Sequence, residues 1–228
     1  MKIRKERVHS TKIKNILKNY FSFYNKNLKK KHMIVYIISL IIFAFFMVNF
    51  INNLDEVNQF LSEVNNIGKN PNIFMTIIKD KIPLVVLLIF SGVTPYVYIP
   101  VIGIIGFPYL LTMNIMNMST LNMIIACIGG LVQIFGVSLA VAAGIYYCTS
   151  STKRIRYNQS NAFGLDDVKK QIYEATKKEE KLNEINDKMQ AKREKREKLN
   201  VKIEYKALIL TGIISIVIVS VAALFTGV

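Results

Sequence analysis

The chain has 228 residues, 30 Lys and Arg against 15 Asp and Glu, a net charge of +15, and yet 52 % hydrophobic residues with a mean hydropathy of +0.32. Charge and apolar side chains must therefore occupy different segments, and from Ile82 to Thr152 there are 71 consecutive residues without an Asp, Glu, Lys, Arg or His. About 20 apolar residues cross a bilayer, so the composition excludes a cytosolic globular or nucleic-acid-binding protein and points to an all-α, polytopic membrane helix bundle.

Residues 1–32 carry eleven Lys and Arg and a single acid, Glu6. This charged stretch is too long for the n-region of a signal peptide. Ile13, Ile16, Leu17, Tyr20, Phe21 and Tyr24 follow the i, i+3, i+4, i+7 spacing of one helix face, with Ser10 as N-cap. The spacing predicts an amphipathic helix. It either lies on an anionic lipid surface through Lys12, Lys14, Lys18, Lys29, Lys30 and Lys31, or packs on the protein's own cytosolic face.

Residues 33–51 are uncharged and form the first expected span. Residues 52–81 are polar, with Gly68 and Pro71 dividing an outer helical loop. Residues 82–148 form an uncharged membrane core. Pro83, Pro95, Pro100 and Pro108 break its first part. Two short spans turning at Thr94-Pro95-Tyr96, or a re-entrant hairpin of two half-helices, both satisfy that pattern. The bundle thus has five spans, or three plus the hairpin.

Leu121 to Cys148 reads as one long span with a small-residue stripe: Gly129, Gln133, Gly136, Ala140 and Gly144. Small residues at this spacing admit a second helix closely, and a Gln on the stripe can hydrogen-bond across it. The approaching helix is another span of the same chain or, in a homo-oligomer, of a second copy.

Residues 149–206 hold sixteen Lys and Arg and ten acids. A Ser- and Asn-rich linker up to Gly164 leads into a predicted charged cytosolic helix over 165–206. Its thin apolar seam, Val168, Ile172, Ala175, Leu182, Ile185 and Met189, suits a short coiled coil or a solvated helix held by i,i+4 charge pairs. Helix propensity dips near Asn183–Asp187 and near Asn200, the places for a break. Residues 207–228 form the last expected span, with Tyr205 and Lys206 as interface anchors.

Of the 30 Lys and Arg, 27 fall in 1–32 and 153–206 and three in 52–81. The positive-inside rule then puts the N-terminus inside and the C-terminus outside. The abundance of Lys, Asn and Ile fits an AT-rich bacterial genome, hence a bacterial plasma membrane. Within the expected membrane segments there is no paired Asp, Ser/His couple or metal-binding cluster for proteolysis, and no carboxylate relay for proton-coupled transport. No Gly-rich phosphate cradle follows a strand. The sequence reads as a non-enzymatic protein with no cofactor and no metal. Cys127 and Cys148 lie 21 residues apart, roughly 30 Å along one helix, and give no disulfide framework.

The order of parts resembles the stage II sporulation protein M family of bacterial membrane proteins. The resemblance runs through the basic helix before the first span and the outer segment Asn72-Ile73-Phe74-Met75-Thr76-Ile77-Ile78-Lys79-Asp80. It continues in the Gly/Pro-rich short spans, then in Gly129-Gly130-Leu131-Val132-Gln133-Ile134-Phe135, then in Ala140-Val141-Ala142-Ala143-Gly144 and a C-terminal span. It implies a sporulation membrane anchor, a scaffold that recruits envelope proteins such as cell-wall hydrolases. The alternative is the membrane subunit of a small exporter working with a separate ATPase.

Overall fold

The computed structural model describes residues 14–53, 77–90, 98–116, 120–162, 190, 194, 197 and 201–226. Most of the outer loop, the Thr94-Pro95-Tyr96 turn, most of the charged arm with its seam, Ser10, Lys12 and Ile13 lie outside the described residues. Among the described residues the fold is all-helical, with no strand. Three helices are long and apolar enough to cross a membrane.

The first, α1, runs Lys14–Asn52. No Pro or Gly occurs before Gly68, so nothing in the backbone separates the basic segment from the first span, and one helix contains both. Its path is adjusted by a π-helical turn at Tyr24–Leu28. At the far end Asn49 Nδ2 donates to the Phe45 carbonyl (2.8 Å) and Asn53 Nδ2 to that of Asn49 (3.1 Å). The Asn49 carbonyl also accepts from the Asn53 backbone N–H (3.1 Å), so the two asparagine side chains add second bonds to carbonyls of the last turns.

Helix α2 (Ile82–Phe90) follows a second π-helical turn, Ile77–Lys81. Pro83 comes just after that turn, where its missing N–H interrupts the backbone ladder as the helix passes from π to α. Helix α3 (Tyr98–Met116) contains Pro108. The Thr112 hydroxyl donates to the Pro108 carbonyl (2.8 Å), satisfying that buried hydroxyl inside the helix.

Helix α4 (Thr120–Ala162) has 43 residues and α5 (Tyr205–Thr226) has 22, about 33 Å, the thickness of a bilayer core. α4 corrects the expectation of a flexible linker after Cys148. The chain has neither Gly nor Pro between Gly144 and Gly164, and Thr152 folds its hydroxyl onto the Cys148 carbonyl (2.9 Å), so the helix continues. Residues 201–204 are non-helical, next to Asn200, one of the two places where a break in the arm was expected.

The chain forms two units, 1–147 with 204–228, and 148–203. In the first unit α1, α3 and α5 all run antiparallel to α4. Phe23 meets Tyr146 and Tyr36 meets Phe135. Gly103 lies against Val141 and Gly130 against Leu111. Tyr205 meets Tyr147, and Gly136 lies against Val219. Phe46 and Phe50 of α1 close on Tyr109 of α3. Helices α2 and α3 form a hairpin, with Leu88 beside Gly103 and Lys81 over the Phe107 ring.

The basic N-terminal part of α1 joins this bundle. Tyr20, Phe23 and Leu28 are buried, Tyr20 reaching the Thr211 hydroxyl on α5. Ile16, Leu17 and Phe21 of the expected apolar face remain exposed. A π turn inserts a residue into the helical repeat. It rotates the upstream segment relative to the span, and Tyr20 and Phe23, rather than the whole apolar face, turn toward the protein.

Candidate functional site: the packed core around the central helix

The small-residue stripe lies at the middle of the first unit. Gly129, Gln133, Gly136, Ala140 and Gly144 are all buried, and Gln133 and Ala140 have no exposed surface. A Cβ placed on Gly136 would stand 2.8 Å from a Val219 methyl and 3.0 Å from one of Ile218. Only hydrogen fits there, so α5 seats against α4 at this point. The residue after Gly129 does the same for α3: a Cβ on Gly130 would meet Leu111 at 3.1 Å and Ile115 at 3.3 Å. Gly103 is the reciprocal notch on α3, 2.6 Å from Leu88 and 3.2 Å from Val141 by the same measure. The helices that fill the stripe belong to this chain. In lipid the gain from such approach is dispersion, because the hydrocarbon solvent removes the hydrophobic driving force between helices.

A polar node that the sequence pattern did not reveal ties α1 to α4. His32 has no exposed surface. Its Nε2 lies 3.2 Å from the Phe135 carbonyl and its Nδ1 lies 2.9 Å from the Tyr24 hydroxyl. A carbonyl only accepts, so Nε2 carries the proton, and the Tyr24 hydroxyl donates to Nδ1. Ser138 donates to the same Phe135 carbonyl (2.8 Å). The Phe135 ring packs 4.5 Å from that of His32. With both nitrogens engaged, the imidazole acts as a neutral clasp. Two turns separate Tyr24 from His32, and the π turn lies between them, so a search for neighbours at i+3 and i+4 misses the pair.

The lysines spread over the surface. Lys14, Lys18, Lys29 and Lys30 are exposed, whereas Lys31 lays its ammonium 5.5 Å from the Tyr146 ring centroid, a cation–π contact at the bundle's edge. Lys81 does likewise over Phe107 (5.5 Å). Burial pushes the Lys81 ammonium below the ordinary lysine range, and the Asp80 carboxylate partly opposes this.

Among the described residues no group of three His, Cys, Asp or Glu is placed to hold a metal, and Cys127 and Cys148 are free thiols. Among the described residues the buried Ser215 hydroxyl has no hydrogen-bond partner. A cavity of about 280 Å³ lies between α2 and α5, open on one side, its wall formed by apolar atoms of residues such as Val85, Ile89, Gly212 and Ile216. No family model, curated protein or solved structure matches the chain.

Proposed function

We propose that this protein is a non-enzymatic membrane anchor that holds envelope proteins at the bacterial plasma membrane. The observation that carries this reading is the packing of α4. From Gly136 to Gly144 every residue is buried, and at Gly136 even a Cβ would meet Val219 and Ile218 of α5. Such a core suits a rigid platform, which needs a fixed shape more than a path through its centre. The resemblance to sporulation anchors, drawn from sequence pattern, supports the same role and names cell-wall hydrolases as the partner class.

In this proposal the chain crosses five times, with the N-terminus inside and the C-terminus outside. The asymmetry of Lys and Arg supports the orientation. The end of α2 supports two short crossings rather than a shallow hairpin: Phe90 lines the same cavity as Tyr147 and Tyr205, so α2 ends at the level where α4 and α5 carry their interfacial tyrosines.

Crosslinking in native membranes followed by pull-down tests the role. Envelope hydrolases among the captured proteins support the anchor, and a nucleotide-binding subunit overturns it in favour of an exporter component. A reporter active only outside the cytoplasm tests the orientation. Fused after Gly68 or Val228 it is expected to score, and after His32 or Gly164 to stay silent. Activity at Gly164 reverses the orientation.

A further inference from the structure

The cavity between α2 and α5 is walled by apolar atoms throughout and lies along α5 next to its basic N-terminal end. At one end lie Ile213 and Ile216 of α5. In the middle Gly212 faces Ile89 of α2, where a Cβ would stand 3.0 Å from the Ile89 Cδ1, so the missing side chain keeps the floor low. At the other end the wall consists of Phe90 and the rings of Tyr147 and Tyr205, whose centroids are 6.1 Å apart. Lys206 follows at once, exposed, three and seven residues before Ile209 and Ile213 and so on their side of the helix. Those two isoleucines form the open rim, each more than half exposed. The nearest acid in sequence, Glu204, precedes the helix.

Apolar trough, interfacial aromatic rings and then an ammonium follow the order met along a phospholipid from acyl chain through the interface to the phosphate. We propose that this groove holds an acyl chain of one anionic glycerophospholipid, with its phosphate at Lys206. The apolar trough and the charge complementarity of the exposed Lys206 beside it select the occupant. A helix of a second copy would bring apolar residues to both ends of the groove and leave Lys206 without an anion. The proposal is independent of the anchor role, because it needs only that α5 lies in a bilayer.

The test uses the full chain, purified in mild detergent, stripped of lipid and titrated in native mass spectrometry with phosphatidylglycerol or phosphatidylcholine of identical chains. One saturable phosphatidylglycerol per monomer is expected, with weaker uptake of phosphatidylcholine. Lys206→Gln is expected to reduce the preference by about fivefold, the weight of one cation near a phosphate. Ile213→Trp, which fills the trough from its open rim, is expected to weaken both lipids by about tenfold while the melting temperature stays near that of the wild type. Ile209→Trp on the same rim is the second variant should the first fail to fold. Equal uptake of the two lipids, many weak sites with no first saturable one, or unchanged uptake by a folded rim variant each overturns the proposal. So does a dimer whose formation expels the lipid, which assigns the groove to a second copy.

Discussion

Helices α1 and α4 are nearly interchangeable by hydropathy and opposite in place. Their most apolar windows have mean hydropathies of 2.7 and 2.3, yet 17 % of the α1 window is buried inside the protein against 61 % of the α4 window. The difference follows side-chain size. α1 displays Ile34, Ile37, Ile41, Phe45 and Val48 outward, all branched or aromatic and all content in lipid. α4 concentrates Gly and Ala where it is surrounded. In hydrocarbon, apolarity says only that a helix crosses. Whether it is central or peripheral depends on how closely neighbours can come.

Substitutions can break that contrast. Gly136→Leu is expected to have one of the two largest effects, a loss of about 1–3 kcal/mol from overpacking, since even its Cβ collides with Val219 and Ile218. Thermal melting in detergent is the measurement. A melting temperature equal to that of the wild type would mean that α5 does not seat on the stripe. Leu139→Ala, from a position off the stripe, belongs in the same class. The stripe pattern makes Leu139 the more tolerant position, but it is 3 % exposed, so truncation leaves a cavity and costs about 2–5 kcal/mol. A smaller loss than that of Ile128→Ala would show the helix to be less enclosed.

Tyr24→Phe sharpens the comparison from the other side, because it loosens a polar node that joins α1 to α4. It leaves the buried His32 Nδ1 without its donor, for an expected loss of about 1–3 kcal/mol. His32→Phe in the same background should then add less than it does alone, as partners in one network do. Full additivity in a double-mutant melting cycle would separate the two residues.

Ile41→Ala or Ile128→Ala, at outward sites of α1 and α4, should change stability by no more than about 0.5 kcal/mol. A pH effect is expected at Lys81, where α2 begins. Its ammonium is held below the unfolded range of lysine by burial, so the folded state prefers the neutral amine. Stability should rise as pH climbs from the folded value toward the ordinary value of 10.5 and stay flat at lower pH. Lys81→Met should abolish that rise in detergent melting curves taken between neutral pH and pH 10. A rise that persists in the variant places its source elsewhere.

Some of this architecture is legible in the sequence alone. The 71-residue uncharged run announced membrane helices, and the stripe on α4 marked positions that the structure buries. Gly130 escaped the stripe because it lies one residue off the repeat, on the side facing α3. The continuation of α4 to Ala162 was hidden by composition, since Ser, Thr and Asn favour loops on average, yet without Gly or Pro a helix already nucleated propagates through them.

The sequence by itself determined the helical class, the apolar segments and the separation of charge from membrane. Those properties depend on hydropathy and local backbone preference, which each segment carries alone. Only the tertiary structure decided that the basic N-terminal helix turns Tyr20 and Phe23 into the bundle, that His32 clasps the Phe135 carbonyl, and that α4 rather than α1 is central. Each depends on atoms more than 100 residues apart in the chain, Tyr20 with Thr211, Phe23 with Tyr146, His32 with Phe135. No periodicity within one helix encodes which neighbour will fill its notches.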